Sequence, residues 1–276
     1  MKKIIVPTDF SAAANEAVQY AIQLAFFFKC DVELVHVLNP ATDLNTGYMI
    51  DPGIETVKRK KLKALTEEVS RKITETLPSE ISVMSSFYLG FPIEEIINLS
   101  KSQDSLIVVG ATGESGVMGR VFGSIPSHLA RRAHAPVLII PKGVRFEVFK
   151  EIAYASAEAN LDHAISRMIK QFVMVFNARL HCVHIGRDEQ YPEWQMEAIF
   201  GNIQENGTPE LIKKNLDRVD VVSALNGYCE ENSIDMLIMA TKHRKFWDSI
   251  IHTSMTREMA LDPHLPLLVF HDRDKL

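Results

Sequence analysis

Short apolar runs alternate with longer mixed segments along the first half of the chain, and the alternation predicts its elements. Lys3 to Val6 is rich in β-branched residues and reads as a buried strand. Ser11 offers an N-cap, and Ala12 to Phe28 has helical composition. Asp31 to Leu38 is a second strand, followed by a polar loop with Pro40, Gly47 and Pro52. Glu55 to Leu77 is an amphipathic helix rich in Lys and Glu, ended by Pro78. Ile81 to Tyr88 is a third strand with Gly90 at its exit, and Pro92 to Ser100 a short helix that opens on proline. Leu106 to Val109 is a fourth, wholly apolar strand. Gly110 to Gly123 is a glycine-rich loop, Ser124 to Ala133 a helix and Pro136 to Ile140 a fifth strand. Apolar strands alternating with helices predict a parallel sheet covered on both faces. Five strands in this order suit a doubly wound α/β domain, whose ligand crevice lies at the carboxyl ends of its strands.

The second half repeats the plan. Ile152 to Ala155 is a strand, Asn160 to Phe176 a helix and Leu180 to Ile185 a strand in which His184-Ile185 matches His36-Val37. Trp194 to Asn206 reads as helical and Val219 to Val222 as a shorter strand. Asp235 to Ala240 matches Asp104 to Gly110, and Leu265 to Phe270 matches Ala135 to Ile140. A period near half the chain length means duplicated domains rather than a solenoid. The expected domains are residues 1–142 and 150–274, joined by a linker at about 143–149.

Composition narrows the class. At 276 residues the chain has room for two domains of ordinary size, each with its own core. Hydrophobic residues at 46% and charged residues at 24% are the balance of a soluble globular protein. A net charge of −5 argues against nucleic acid as the main partner. Met1-Lys2-Lys3 leads into too short an apolar run for a secretory signal, and no stretch approaches the roughly 20 apolar residues that span a bilayer. Cys30, Cys182 and Cys229 are far apart and odd in number, which fits reduced thiols in the cytoplasm.

The strongest chemical signal is Gly110-Ala-Thr-Gly113, nine residues, then Gly123-Ser124, placed between an apolar strand and a helix. Glycines let backbone N–H groups approach an anion with no Cβ in the way. The unpaired amides and positive dipole end of the helix that starts near Ser124 favour a phosphate. This Gly-x2-Gly-x9-Gly-Ser pattern resembles the ATP-binding signature of the universal stress protein family. Val6-Pro7-Thr8-Asp9-Phe10-Ser11, Leu34-Val35-His36-Val37, Gly90-x-Pro92-x-Glu94 and Ala135-Pro136-Val137-Leu138 resemble other segments of the same family. The likeness covers nearly all of residues 1–142 and, more loosely, residues 150–272.

The resemblance implies a fold like that of the adenine nucleotide alpha-hydrolases and a set of nucleotide-binding residues: Pro7, Thr8, Asp9, Val37, Val109, Gly110, Gly113, Gly123, Ser124 and Ile125. Asp9 would face the adenosine part, Val37 would lie against the base and offer its backbone, and the glycines, Ser124 and the Ile125 amide would hold ribose and phosphates. Asp9 could also cap the first helix, and could do both jobs. Arg120 could neutralise phosphate charge, and Pro126 removes one amide donor. The implied ligand is ATP, or ADP or AMP, with Mg²⁺ held mostly by phosphate oxygens and water.

At the matched positions the second half reads Ala240-Thr-Lys-His243, nine residues, then Thr253-Ser254, with Ala157 where Asp9 stands. No tight ATP site is expected there, although Lys242, His243, Arg244 and Lys245 leave the loop basic. His181, Cys182 and His184 read as core or strand-end residues, since alternation puts His181 on the face opposite both others. There is no Gly-x4-Gly-Lys-Ser/Thr and no Gly-x-Ser-x-Gly elbow, so no catalytic residue is assigned and hydrolysis should be slow. The expected function is a cytoplasmic, nucleotide-binding sensor or regulator of the stress response that acts on a protein partner. A nucleotide-independent scaffold and an ATP-using enzyme of related fold are the alternatives. Pro136 to Ile140 and Pro266 to Phe270 are apolar edge candidates that could pair within one chain as a pseudo-dimer, or between two chains.

Overall fold

A computed structural model of the chain describes residues 1–43, 47–49, 51–76, 81–102, 104–111, 124–156, 163–185, 211–216, 221–241 and 265–271. They fall into two compact units, the first running to Phe146 and the second beginning at Glu147.

The first unit opens with strand β1 (Lys3–Pro7), whose Ile4, Ile5 and Val6 are fully buried. Each such side chain removed from water contributes about 1.5–3 kcal/mol. Helix α1 (Ala12–Phe28) starts where Ser11 accepts a hydrogen bond from the Ala14 amide at 3.2 Å, and ends on Lys29 in the left-handed region at φ 49°. Strand β2 (Asp31–Leu38) is followed by β3 (Ala41–Asp43) and β4 (Gly47–Met49), an antiparallel pair where a loop is expected. Three-residue strands are too short to show an alternating pattern. Helix α2 (Pro52–Thr76) begins three residues before the expected Glu55, because proline fits a first helical turn whose amides have no intrahelical partner. Then come β5 (Val83–Leu89), α3 (Pro92–Leu99), β6 (Ser105–Gly110), α4 (Ser124–Arg132) and β7 (Val137–Ile140).

The strands of this unit are parallel and lie in the order β5-β2-β1-β6-β7. From β1 the chain builds outward through β2 to β5, then reverses to β6 and β7. The strand order therefore switches between β1 and β6. Right-handed crossovers put α1 and α2 on one face and α3 and α4 on the other. The stretch after β7 is tied back to α1: the Gly143 amide donates to Glu16 at 2.9 Å, and Phe146 stacks edge-on to Tyr20 at 5.2 Å.

The second unit has β8 (Glu151–Ser156), α5 (His163–Phe176), β9 (Arg179–Ile185), β10 (Leu211–Leu216), α6 (Val221–Glu231), β11 (Met236–Thr241) and β12 (Leu267–His271). Its parallel order is β10-β9-β8-β11-β12, the same plan as the first unit. Phe149 packs against Phe172 and Phe176 in its core. One expectation is corrected. The strand read at Val219 to Val222 lies instead at Leu211–Leu216, and Val221 opens a helix. Leu225, Tyr228 and Cys229 are buried at helical spacing, and that periodicity outweighs the β-branched run before it. The segment at Trp194 to Asn206 lies outside the described residues.

The two units pin the amino ends of their first strands with opposite charges. Lys3 on β1 meets Glu33 on β2 at 2.6 Å, and Ser86 also donates to Glu33 at 2.5 Å. By strand register, Glu151 stands at the place of Lys3 and His181 at that of Glu33. Glu151 accepts from His181 Nε2 at 2.8 Å and pairs with Arg179.

Candidate functional site

The carboxyl ends of β1, β2 and β6 meet at the point where the strand order switches, the place where open α/β sheets hold ligands. Register shows which main-chain groups face this crevice. Odd-numbered residues of β2 bond towards β1, since Asp31 donates to the Lys2 carbonyl and Thr8 donates to the Val35 carbonyl at 2.8 Å. Even-numbered ones bond towards β5, since Gly90 donates to the Leu38 carbonyl. The N–H and C=O of Val37 are thus turned to the β1 side, at a level where β1 has already given way to the turn that carries Asp9.

The same reasoning applies on β6. Asp104 accepts from Lys2, whereas Ile107 and Ala111 donate to Pro136 and Ile140 on the β7 side. The main chain of Gly110 therefore faces β1, above the last paired residues Ile5 and Ile107. Val37 and Gly110 look into one crevice from opposite sides, with Asp9 between them.

Thr8 is buried, and its hydroxyl oxygen accepts the Phe10 amide at 3.0 Å. Asp9 Oδ1 accepts the Ser11 amide at 2.9 Å, so the helix cap is Ser11 and Asp9 orders the turn before it. Pro7 is half-buried at the end of β1, and Val37 and Val109 are buried. Gly110 has a packing reason of its own: a Cβ there would stand 2.5 Å from the Ala13 carbonyl oxygen and 2.8 Å from its carbon. Helix α1 can cross the end of β6 this closely only over a glycine. Ser124 and Ile125 are the first two residues of α4, and Pro126 sits in the turn where an amide would lack an intrahelical partner. Gly113, Gly123 and Arg120 lie outside the described residues, as do His243, Thr253, Ser254 and Ala157. Ala240 lies on β11 at the register position of Gly110.

Sequence reasoning did not single out Phe10 and Phe87, which flank the ring of His36 beside this turn. It also missed the group around His181. His181 is buried and joins Tyr228 Oη at 2.8 Å through Nδ1 and Glu151 through Nε2. Burial raises the Glu151 carboxyl, but hydrogen bonds and charges from Arg179 and His181 outweigh it and hold the group below its ordinary value. Burial pushes the Tyr228 phenol up, helped by Cys229, Cys182 and Glu151. Glu151 and His181 sit near the amino ends of β8 and β9, and Tyr228 lies on α6. No set of three or more His, Cys, Asp or Glu among the described residues could hold a metal ion, and no helix among them is long and apolar enough to cross a membrane.

Comparisons with known proteins agree with this architecture. Over its full extent the chain shares its fold with a universal stress protein from Archaeoglobus fulgidus DSM 4304, with a TM-score of 0.71 at 19% identity, covering 99% of this chain and 97% of the other. Universal stress protein MJ0531 of Methanocaldococcus jannaschii is 33% identical over 153 residues, which is 51% of this chain and 82% of the relative. Universal stress protein Rv2623 of Mycobacterium tuberculosis is 30% identical over 139 residues, 50% of this chain and 46% of that protein. The universal stress protein family model matches residues 1–141, and the chain belongs to that family.

Proposed function

We propose that the first unit binds an adenine nucleotide (ATP, ADP or AMP) and that the chain is a cytoplasmic sensor or regulator of the stress response. The observation that carries this reading is the crevice at the switch point. Main-chain groups of Val37 and Gly110 face it from two sides, and the turn that carries Asp9 lies between them. That set suits the hydrogen-bonding edge of a base and the hydroxyls of a ribose. The Gly113 to Ser124 motif, which leads into the amino end of α4, would take the phosphates, with Mg²⁺ carried on their oxygens.

Binding would stabilise the first unit by mass action and offer a protein partner a different surface. Hydrolysis would be slow, since the sequence has no Gly-x4-Gly-Lys-Ser/Thr loop whose lysine could drive fast phosphoryl transfer. Calorimetric titration of the whole chain with ATP tests the reading: one site per chain is expected, abolished by Gly113→Glu or Gly123→Val with folding retained. Absence of binding would favour a nucleotide-independent scaffold. Ala240, which stands in the place of Gly110, favours that role for the second unit.

A further inference from the structure

We propose that Phe10, His36 and Phe87 form a brace that fixes the Thr8–Ser11 turn in the shape that presents Asp9, which makes them positioning residues for the nucleotide site. The functional half of this inference rests on the reading in the preceding subsection.

The turn is an unusual one. Phe10 adopts φ 69°, a left-handed conformation that a bulky residue holds only when its surroundings impose it. The Thr8 carbonyl meets His36 Nδ1 at 2.7 Å in a buried setting. A carbonyl only accepts, so Nδ1 carries the proton and the ring is fixed to the main chain at the first residue of the turn. Phe10 then lies on that ring, with centroids 4.6 Å apart, and Phe87 lies near it at 5.4 Å. Both outer rings carry a cation from α2: Lys58 Nζ is 5.3 Å from the Phe10 centroid, and Arg59 Cζ is 4.1 Å from that of Phe87. The turn is therefore gripped at Thr8 by a hydrogen bond and at Phe10 by a stack anchored on β2, β5 and α2.

The second unit separates the brace from what the fold alone needs. Its register places Ser156 beside His184, as Thr8 stands beside His36. His184 is also paired with Asn215, where His36 is paired with Phe87. Following the same alignment, Ala157 and Glu158 take the places of Asp9 and Phe10. The histidine is present in both units, while the positions of Asp9, Phe10 and Phe87 carry Ala157, Glu158 and Asn215 in the second. A sheet of this plan forms without the aromatic pair, so the pair goes with Asp9 rather than with the strands.

The test compares His36→Leu, His36→Asn and Phe87→Asn in the whole chain. Asparagine keeps an N–H at about the reach of Nδ1, leucine keeps none, and Phe87→Asn copies the second unit. Two readouts are taken: amide hydrogen exchange at Phe10 and Ser11, with Ile107 and Val108 as fold controls, and ATP affinity by calorimetry. Loss of a hydrogen bond of ordinary net strength predicts about threefold to tenfold faster exchange and a similar loss of affinity in His36→Leu, and loss of the ring contact in Phe87→Asn should move both readouts in the same direction, with the controls unchanged in each. His36→Asn should recover most of both relative to His36→Leu. If His36→Leu does not fold, Phe87→Asn decides. Unchanged exchange at Phe10 and Ser11 overturns the brace, and faster exchange with unchanged affinity overturns its role at the site. Wild-type protein that binds no adenine nucleotide refutes the preceding reading alone, and the exchange comparison still decides the brace.

Discussion

Substituting Gly110 with alanine should destabilise the first unit through packing, independently of any ligand. The added Cβ would lie 2.5 Å from the Ala13 carbonyl oxygen, 2.8 Å from its carbon and 3.1 Å from its Cβ. Ordinary contact begins near 3.4 Å, so α1 or β6 must move by about 0.9 Å. The obstacle is main chain in the first turn of a buried helix, which cannot swing aside as a side-chain tip can. Overpacking of this kind costs about 1–3 kcal/mol, a fall in melting temperature on the order of 3–10 °C. Differential scanning calorimetry without nucleotide reads it directly, and urea unfolding should show a lower midpoint at unchanged slope. Ala13→Gly in the same chain should not rescue it, because the closest clash is with the carbonyl. A Gly110→Ala protein that melts within about 1 °C of wild type would refute the argument. The substitution is consequently a poor probe of phosphate binding, for which Gly113 and Gly123 serve better.

Other outcomes follow from the second unit and the thiols. Gly227 lies inside α6 with nothing within 4 Å of an added Cβ, so Gly227→Ala should stabilise that unit by about 0.5–1 kcal/mol, read as a higher urea midpoint. The folded-state value of Glu151 is lowered, so its stabilisation is full above the unfolded value of about 4.3 and is lost as pH falls through the lowered one. Melting curves of Glu151→Gln should therefore depend less on pH in that acid range than wild type, and unchanged dependence would contradict the assignment. Cys30, Cys182 and Cys229 are buried, and burial pushes the Cys30 thiol up to about 12. Ellman's reagent should label Cys30 in denaturant and leave it essentially unmodified in the native protein at pH 8.

Much of this architecture is readable from local pattern. Ser11, the Ala12 to Phe28 helix and the Asp31 to Leu38 strand need only a cap, a helical stretch and a buried run, and the structure has all three at those bounds. Local pattern failed where tertiary placement decides. Leu211–Leu216 carries Lys213 and Lys214 without alternation, which an end strand of a sheet tolerates because it need not be buried on both faces. Val219 to Val222 looks like a strand until Leu225, Tyr228 and Cys229 are seen to share a buried helix face. At the crevice, Asp9, Val37 and Gly110 are marked by motif. The turn of the Val37 main chain towards β1 and the closeness of Ala13 to Gly110 depend on register and distance, which spacing does not encode. The stack on His36 joins residues from three separate segments, and nothing local connects Phe10 to Phe87.

An amide-resolved NMR titration of the whole chain with ATP tests the nucleotide reading most directly. Saturable shifts are predicted at Phe10, Ser11, Val37, Leu38 and Ala111, with one nucleotide bound per chain. No shift at millimolar ATP, or shifts confined to residues after Glu147, would contradict it.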